Sequence, residues 1–208
     1  EVSIKKNVSS ILARREIILS AGSIGSPQIL MLSGVGPGAE LQKLGIEVES
    51  NLKGVGENLQ DHLQARPVFK TDLSTINIET NNYLKQALIG LQYILTQTGP
   101  MTMAASLGTA FLKTEAHLET PDIQFHIQPF SADMPSKSTH KFSAFTASVL
   151  QLRPESTGYL KLRSPNFMDS PEIYPNYLST DTDCRTIVKG VKIARKIADC
   201  QPLKSHLT

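Results

Sequence analysis

Tryptophan is absent from the 208 residues, cysteine occurs only at Cys184 and Cys200, and charge of one sign does not accumulate, with 21 Lys and Arg against 19 Asp and Glu. Two cysteines are too few for a disulfide framework, and no Cys/His pairing has zinc-site spacing, so both read as plain buried or semi-exposed thiols. A net charge of +2 offers no basic groove for nucleic acid and no reason to expect a polyanionic substrate. Long apolar runs are also missing. Ile17–Leu19 and Ile29–Leu32 are far shorter than the roughly 20 residues a membrane-spanning helix needs, so the visible chain holds no transmembrane segment. Glu1–Lys6 has neither the basic start nor the apolar middle of a signal peptide. The chain opens without methionine and is expected to be an internal piece of a longer protein, which leaves its compartment open.

What is present is enough hydrophobic material, 40% of the residues, for one large domain or parts of two. Ser9–Arg14 and Glu16–Ser20 read as strands, the second an almost continuous apolar run suited to a parallel sheet covered on both faces. Small residues follow at once. Ser26 is a good N-cap, Pro27 suits a first helical position and Gly34 a left-handed stop, predicting a helix over 27–33. A second short helix over Ala39–Leu44, closed by Gly45, leads to a strand at Ile46–Glu49.

Beyond residue 63 the pattern changes to alternating strands around one long helix, which places a domain boundary between 63 and 64. That helix, Asn82–Thr98, carries Leu84, Leu88, Leu91 and Leu95 at helical spacing, is expected to pack on one face, and stops at Gly99-Pro100. Leu107–Thr114, Asp122–Pro129, Phe142–Leu152 and Tyr159–Arg163 are strand candidates that one antiparallel sheet would accommodate. A last helix spans Asp181–Cys200 with Cys184, Ile187, Val191, Ala194 and Ala198 on its core stripe. No repeat or low-complexity tract appears.

Four segments, in order, resemble one family. GSIGSPQILMLSGVG at Gly22–Gly36 is similar to the second signature of the glucose-methanol-choline oxidoreductases. GVGENLQDHL at Gly54–Leu63, TGP at Thr98–Pro100 with PDIQFH at Pro121–His126, and IYPNYLSTDTD at Ile173–Asp183 are similar to further segments of choline-dehydrogenase-like members. The resemblance implies α/β and α+β architecture: residues 1–63 as the later part of an FAD-binding dinucleotide-type domain, and residues 64–208 as most of an antiparallel-sheet-and-helix substrate domain. It implies FAD as cofactor, a small-molecule alcohol as substrate, and an electron acceptor that the sequence does not identify.

Close backbone approach to a dinucleotide favours small residues after a parallel strand. Ser20, Ala21, Gly22 and Ser23, with Ser26, are therefore expected beside the ADP half of FAD; a tight turn without ligand contact is the alternative. Asn58, Asp61 and His62 are placed near the cofactor by the resemblance, while an Asp-His pair in a loop also suits a hydrogen-bonded structural corner. Gln124, His126 and Gln128 share one face of their strand and could line the substrate pocket or face solvent. His117, His140 and His206 stand singly in polar surroundings and read as surface positions rather than a metal site.

Two absences limit the reading. No G-x-G-x-x-G opens a strand-turn-helix unit, with its acidic residue about 20 positions on, and GVGPG at Gly34–Gly38 follows a helix instead. Alcohol oxidation by flavin also needs a base for the hydroxyl proton. The family draws this base from a histidine near its C-terminus, expected beyond Thr208, so no catalytic residue is assigned. The leading expectation is part of an FAD-dependent oxidoreductase acting on a CH-OH group; a non-catalytic remnant or binding module, and a flavin-containing lyase, are the alternatives.

Overall fold

A computed structural model describes residues 2–4, 7–104, 106–134 and 137–208. Glu1, Lys5 and Lys6 of the opening segment lie outside the described residues. The chain divides into two compact units, Glu1–Leu59 with Gly158–Tyr174, and Gln60–Thr157 with Pro175–Thr208. The first division falls near the boundary expected at 63; the return of Gly158–Tyr174 to the first unit has no counterpart in the sequence reading.

In the first unit, β1 (Val2–Ile4) and β2 (Asn7–Ser9) form an antiparallel pair. The strand expected at Ser9–Arg14 does not continue from it, and Glu16–Ser20 is not a strand either: residues 10–21 make no ladder and are exposed, Ile17 at 83% and Ile18 at 80%. Apolar residues alone do not make a strand, because its N–H and C=O groups need neighbours, and no described strand lies beside this run. Helix α1 (Gly22–Leu32) begins five residues before the expected start and holds Pro27 inside it. Ser26 is not its N-cap; Ala21 is, and its N–H donates to Ser26 Oγ at 3.0 Å.

Gly34 closes α1 with φ +82°, and a Cβ there would lie 2.4 Å from the Glu47 carbonyl oxygen, so both the left-handed turn and the close approach demand glycine. β3 (Val35–Gly36), α2 (Gly38–Lys43) and β4 (Ser50–Asn51) follow, with β3 and β4 parallel. The strand expected at Ile46–Glu49 is thus displaced to Ser50–Asn51, while Ile46 and Val48 pack beneath it against the buried cluster Met31, Leu41 and Leu160. β5 (Glu57–Leu59) joins a three-stranded antiparallel sheet formed with residues 158–174.

The second unit is built on an antiparallel sheet. β6 (Gln64–Ala65) and β7 (Val68–Lys70) run along one edge and are separated by Arg66-Pro67, where proline cannot donate to a ladder. Two helices come next, α3 (Ile76–Thr80) and α4 (Tyr83–Thr96); Asn82 Oδ1 caps α4 by accepting from Leu84 and Lys85 N–H at 3.0 and 3.2 Å. The expected packing of α4 is not found: Leu84, Leu88, Leu91 and Leu95 are all exposed, from 51 to 72%, and no residue of the helix is buried. Spacing and a cap specify the helix locally, whereas burial of its leucines needs a facing surface, from which most helical stability comes.

β8 (Gly108–Leu112), β9 (Ile123–Gln128) and β10 (Ala144–Gln151) complete the sheet, with β10 central between β9 and the β6/β7 edge. β11 (Gly158–Lys161) does not join it, contrary to the single-sheet expectation; it lies between β5 and β12 (Glu172–Tyr174) in the first unit. Helix α5 (Asp181–Ala198) has Thr180 as N-cap, acidic residues in its first turn and basic ones in its last, an arrangement that complements its dipole. It covers one face of the sheet, where Ile123, Phe125, Ala147, Val149 and Ala194 form the core.

The α5 stripe is rotated from the expected one. Asp183, Thr186, Gly190, Ala194 and Ala198 are buried, with Ile187 and Val191 partly so; Cys184 is half-buried, its thiol donating to Leu178 O at 3.3 Å. Gly190 brings the helix so close to the sheet that a Cβ would stand 2.6 Å from Val149 Cγ2. Pattern reading by hydrophobicity passes over Asp183, Thr186 and Gly190, which face inward here beside Ala194 and Ala198. Among the described residues no helix is long and apolar enough to cross a membrane.

Candidate functional site

In the first unit the small-residue segment gathers at the amino end of α1. Ser20, Ala21, Gly22 and Ser23 are exposed, Ser26 is half-buried, and no side chain caps the helix. Gly22 has φ +79° and a Cβ there would meet nothing within 4 Å. The space beside Gly22, at the amino end of an 11-residue helix with no side-chain cap, is open, and helix amino ends suit an anionic group such as a phosphate. Asn58 belongs to the same unit, on β5, in a left-handed conformation with φ +58°.

Asp61 and His62 belong to the second unit, and they do not pair with each other. Asp61 accepts from the Tyr177 hydroxyl, while His62 Nε2 lies 3.1 Å from Leu152 O. A carbonyl only accepts, so His62 Nε2 carries the proton. Both residues line an open cleft of about 400 Å³ with Gln60, Leu152, Arg153 and Pro154. The hydrogen bond to Asp61 pushes the Tyr177 phenol up to about 12, with burial and the carboxylate charge adding to it, which keeps Tyr177 a neutral donor.

Gln124, His126 and Gln128 alternate with Ile123, Phe125 and Ile127 along β9, so they share the sheet face opposite α5. All three are half-buried. His126 stands opposite Ser148 on β10 and Thr109 on β8, and Gln128 Oε1 accepts from Arg66 Nη2 at 3.1 Å. Of this group the sequence reading missed Arg66 and Ser148. Their signal was strand parity: once β10 is placed, alternate residues from Ser148 fall on the same face as His126.

His140 is not the isolated surface residue expected. Ser131 Oγ lies 2.9 Å from its Nδ1 and Asp133 Oδ1 lies 3.1 Å from its Nε2, a Ser-His-Asp order without a usable nucleophile: Ser131 is fully buried and its hydroxyl also accepts from Asn77. The histidine holds the Asp133 carboxyl below its ordinary value by hydrogen bond and charge. His206 faces Asp72 at 3.1 Å, and His117 is exposed.

A helix amino end bordered by glycine in one unit, and a helix-backed antiparallel sheet with a polar outer face in the other, make this a two-unit protein of mixed helix and sheet. The formate oxidase of Aspergillus oryzae RIB40, in a variant affecting its FAD modification, shares this fold with a TM-score of 0.82 at 22% identity, over 94% of this chain and 39% of that one. Family models described as GMC oxidoreductase match residues 2–64 and 154–207, more than half of the chain between them. The chain belongs to the glucose-methanol-choline oxidoreductase family. It is 36% identical to the oxygen-dependent choline dehydrogenase of Brucella anthropi, over 95% of this chain and 36% of that protein. It is 40% identical to human mitochondrial choline dehydrogenase, over 89% of this chain and 31% of that protein. The chain spans about a third of the length of these curated relatives.

Proposed function

We propose that this chain is part of an FAD-dependent oxidoreductase that oxidises the CH-OH group of a small alcohol. The observation that carries the reading is similarity to choline dehydrogenases along nearly the whole chain, joined to the uncapped amino end of α1 at the segment where the family resemblance puts the cofactor. When bound, FAD accepts the hydride of the alcohol carbon. The backbone of Ser20–Ser23 and Ser26 would hold its ADP half, with Asn58 as a further contact of the same unit, and Asp61 and His62 are the second unit's candidates for cofactor contact. Gln124, His126 and Gln128 line the substrate pocket and orient the alcohol by hydrogen bonds. The first unit serves as the cofactor domain and the second as the substrate domain.

The test is an anaerobic visible spectrum of the complete flavin-loaded protein that contains this chain, before and after small alcohols are added. Bleaching of the flavin by one alcohol supports the proposal. A protein that stays colourless when FAD is supplied would make it a binding module on the same scaffold, and flavin that is bound but never reduced would favour a lyase.

A further inference from the structure

The sheet face opposite α5 holds an arginine that forms no ion pair among the described residues. Register places Ala65 opposite Val149 and Val68 opposite Thr146, and Ala147 N–H donates to Pro67 O at 3.0 Å, so Arg66 stands beside Ser148. Arg66, in the break between β6 and β7, thereby continues the row that Ser148, His126 and Thr109 form across β10, β9 and β8. The single hydrogen bond recorded for the guanidinium goes to Gln128, and its Nε is buried with no partner among the described residues. Ser148 is 1% exposed, and its hydroxyl likewise has no partner.

Two adjoining polar groups are thus withdrawn from water with donors uncommitted, a condition that an ordered water, an ion or a ligand group relieves. Their environment selects its sign. No Asp or Glu occurs in β6–β10, while Lys70 adds a second cation to the edge strand. Four carboxylates close to the row along the chain bond elsewhere: Asp61 with Tyr177, Asp72 with His206, Asp122 with Thr114 and Asp133 with His140.

We propose that this row binds a carboxylate on the small-molecule substrate, with the Arg66 guanidinium as charge partner and the Ser148 hydroxyl as a second donor. The planar fork of arginine matches a carboxylate in shape as well as charge. The inference rests on the reading of Gln124, His126 and Gln128 as pocket residues and narrows it: the preferred substrate is an alcohol bearing a carboxylate, and a quaternary ammonium alcohol is disfavoured by the unneutralised guanidinium.

The experiment compares glycolate, its uncharged analogue ethylene glycol, and choline as ligands of the complete flavin-loaded protein. Dissociation constants come from equilibrium dialysis, and the His126 ring signal is followed by NMR, assigned with His126→Gln. Glycolate is expected to bind at least about tenfold more tightly than ethylene glycol, a difference of about 1.4 kcal/mol, and to move the His126 signal. Arg66→Gln should erase the preference and Arg66→Lys restore part of it. Equal binding of the three ligands, undetectable glycolate binding, or a preference that survives Arg66→Gln would overturn the proposal. The two readings fail separately. An alcohol that reduces the flavin without moving the His126 signal removes the pocket assignment and this inference with it. Arg66-dependent glycolate binding in a protein whose flavin is never reduced keeps the anion site and removes the oxidoreductase.

Discussion

Asp183 shows how much one side chain can organise. It is 2% exposed and accepts from Glu155 N–H at 3.0 Å, Ser156 N–H at 2.9 Å and the Ser156 hydroxyl, which fixes the turn after β10 to the start of α5. Burial acts to raise its pKa, but the hydrogen bonds from Ser156, from the Glu155 and Ser156 N–H groups and from Gln151 outweigh it and hold the carboxyl below its ordinary value. A depressed carboxyl contributes stability that is present above the unfolded value of about 3.9 and is lost as pH falls through the folded one. Asp183→Asn is therefore expected to destabilise the protein by about 2–3 kcal/mol near neutrality, since it leaves a buried N–H without its acceptor. The gap between variant and parent in urea midpoints should close as the pH is lowered past 4. A gap of the same size at acid pH would remove the charge from the explanation.

At the scale of elements, the contact between α5 and the sheet depends on Gly190. Gly190→Ala gains about 1 kcal/mol in helix propensity, yet it sets a methyl group against Val149, which is fully buried and stiff at Cβ. Overpacking of about 1–3 kcal/mol offsets or exceeds the gain, so a net loss of up to about 2 kcal/mol is expected in denaturant unfolding. In the double variant with Val149→Ala the two losses should sum to less than additivity requires, because each relieves the other. Strict additivity would mean that helix and sheet separate freely.

The same scale shows where sequence was enough. Helices α2, α4 and α5 and strands β8, β9 and β10 were legible because capping and periodicity are local. The partner of β11 was not, since β5 lies about a hundred residues earlier and nothing local names it. The candidate site divides likewise. The small-residue turn at Gly22 and the alternation through Gln124, His126 and Gln128 could be read along the chain, while Arg66 and Ser148 join them only through cross-strand register. The apolar run Ile17–Leu19 reads as a buried strand and stands exposed because hydrophobicity records a requirement for partners without supplying them.

For the molecule as a whole, the missing phosphate-binding fingerprint governs cofactor affinity. With no G-x-G-x-x-G cradle, the 208-residue chain alone is expected to bind FAD weakly or undetectably. Titration by flavin fluorescence, followed by gel filtration, measures this directly. Stoichiometric flavin that stays with the chain through the column would refute the expectation and give these residues a larger share of the site.

The return of Gly158–Tyr174 to the first unit also sets a timetable. β5 leaves the ribosome with its sheet partner still uncoded, and at about 5–20 residues per second it waits roughly 5–20 s for β11. During that interval Met31 and Leu41 lack Leu160, the third member of their cluster, while the intervening strands can already pair among themselves. The strands of the second unit can pair while the first is still open, but their core waits in turn for α5, and the nascent chain passes through a stage with two sticky, half-built cores. A chaperone that recognises apolar surface has its natural window there.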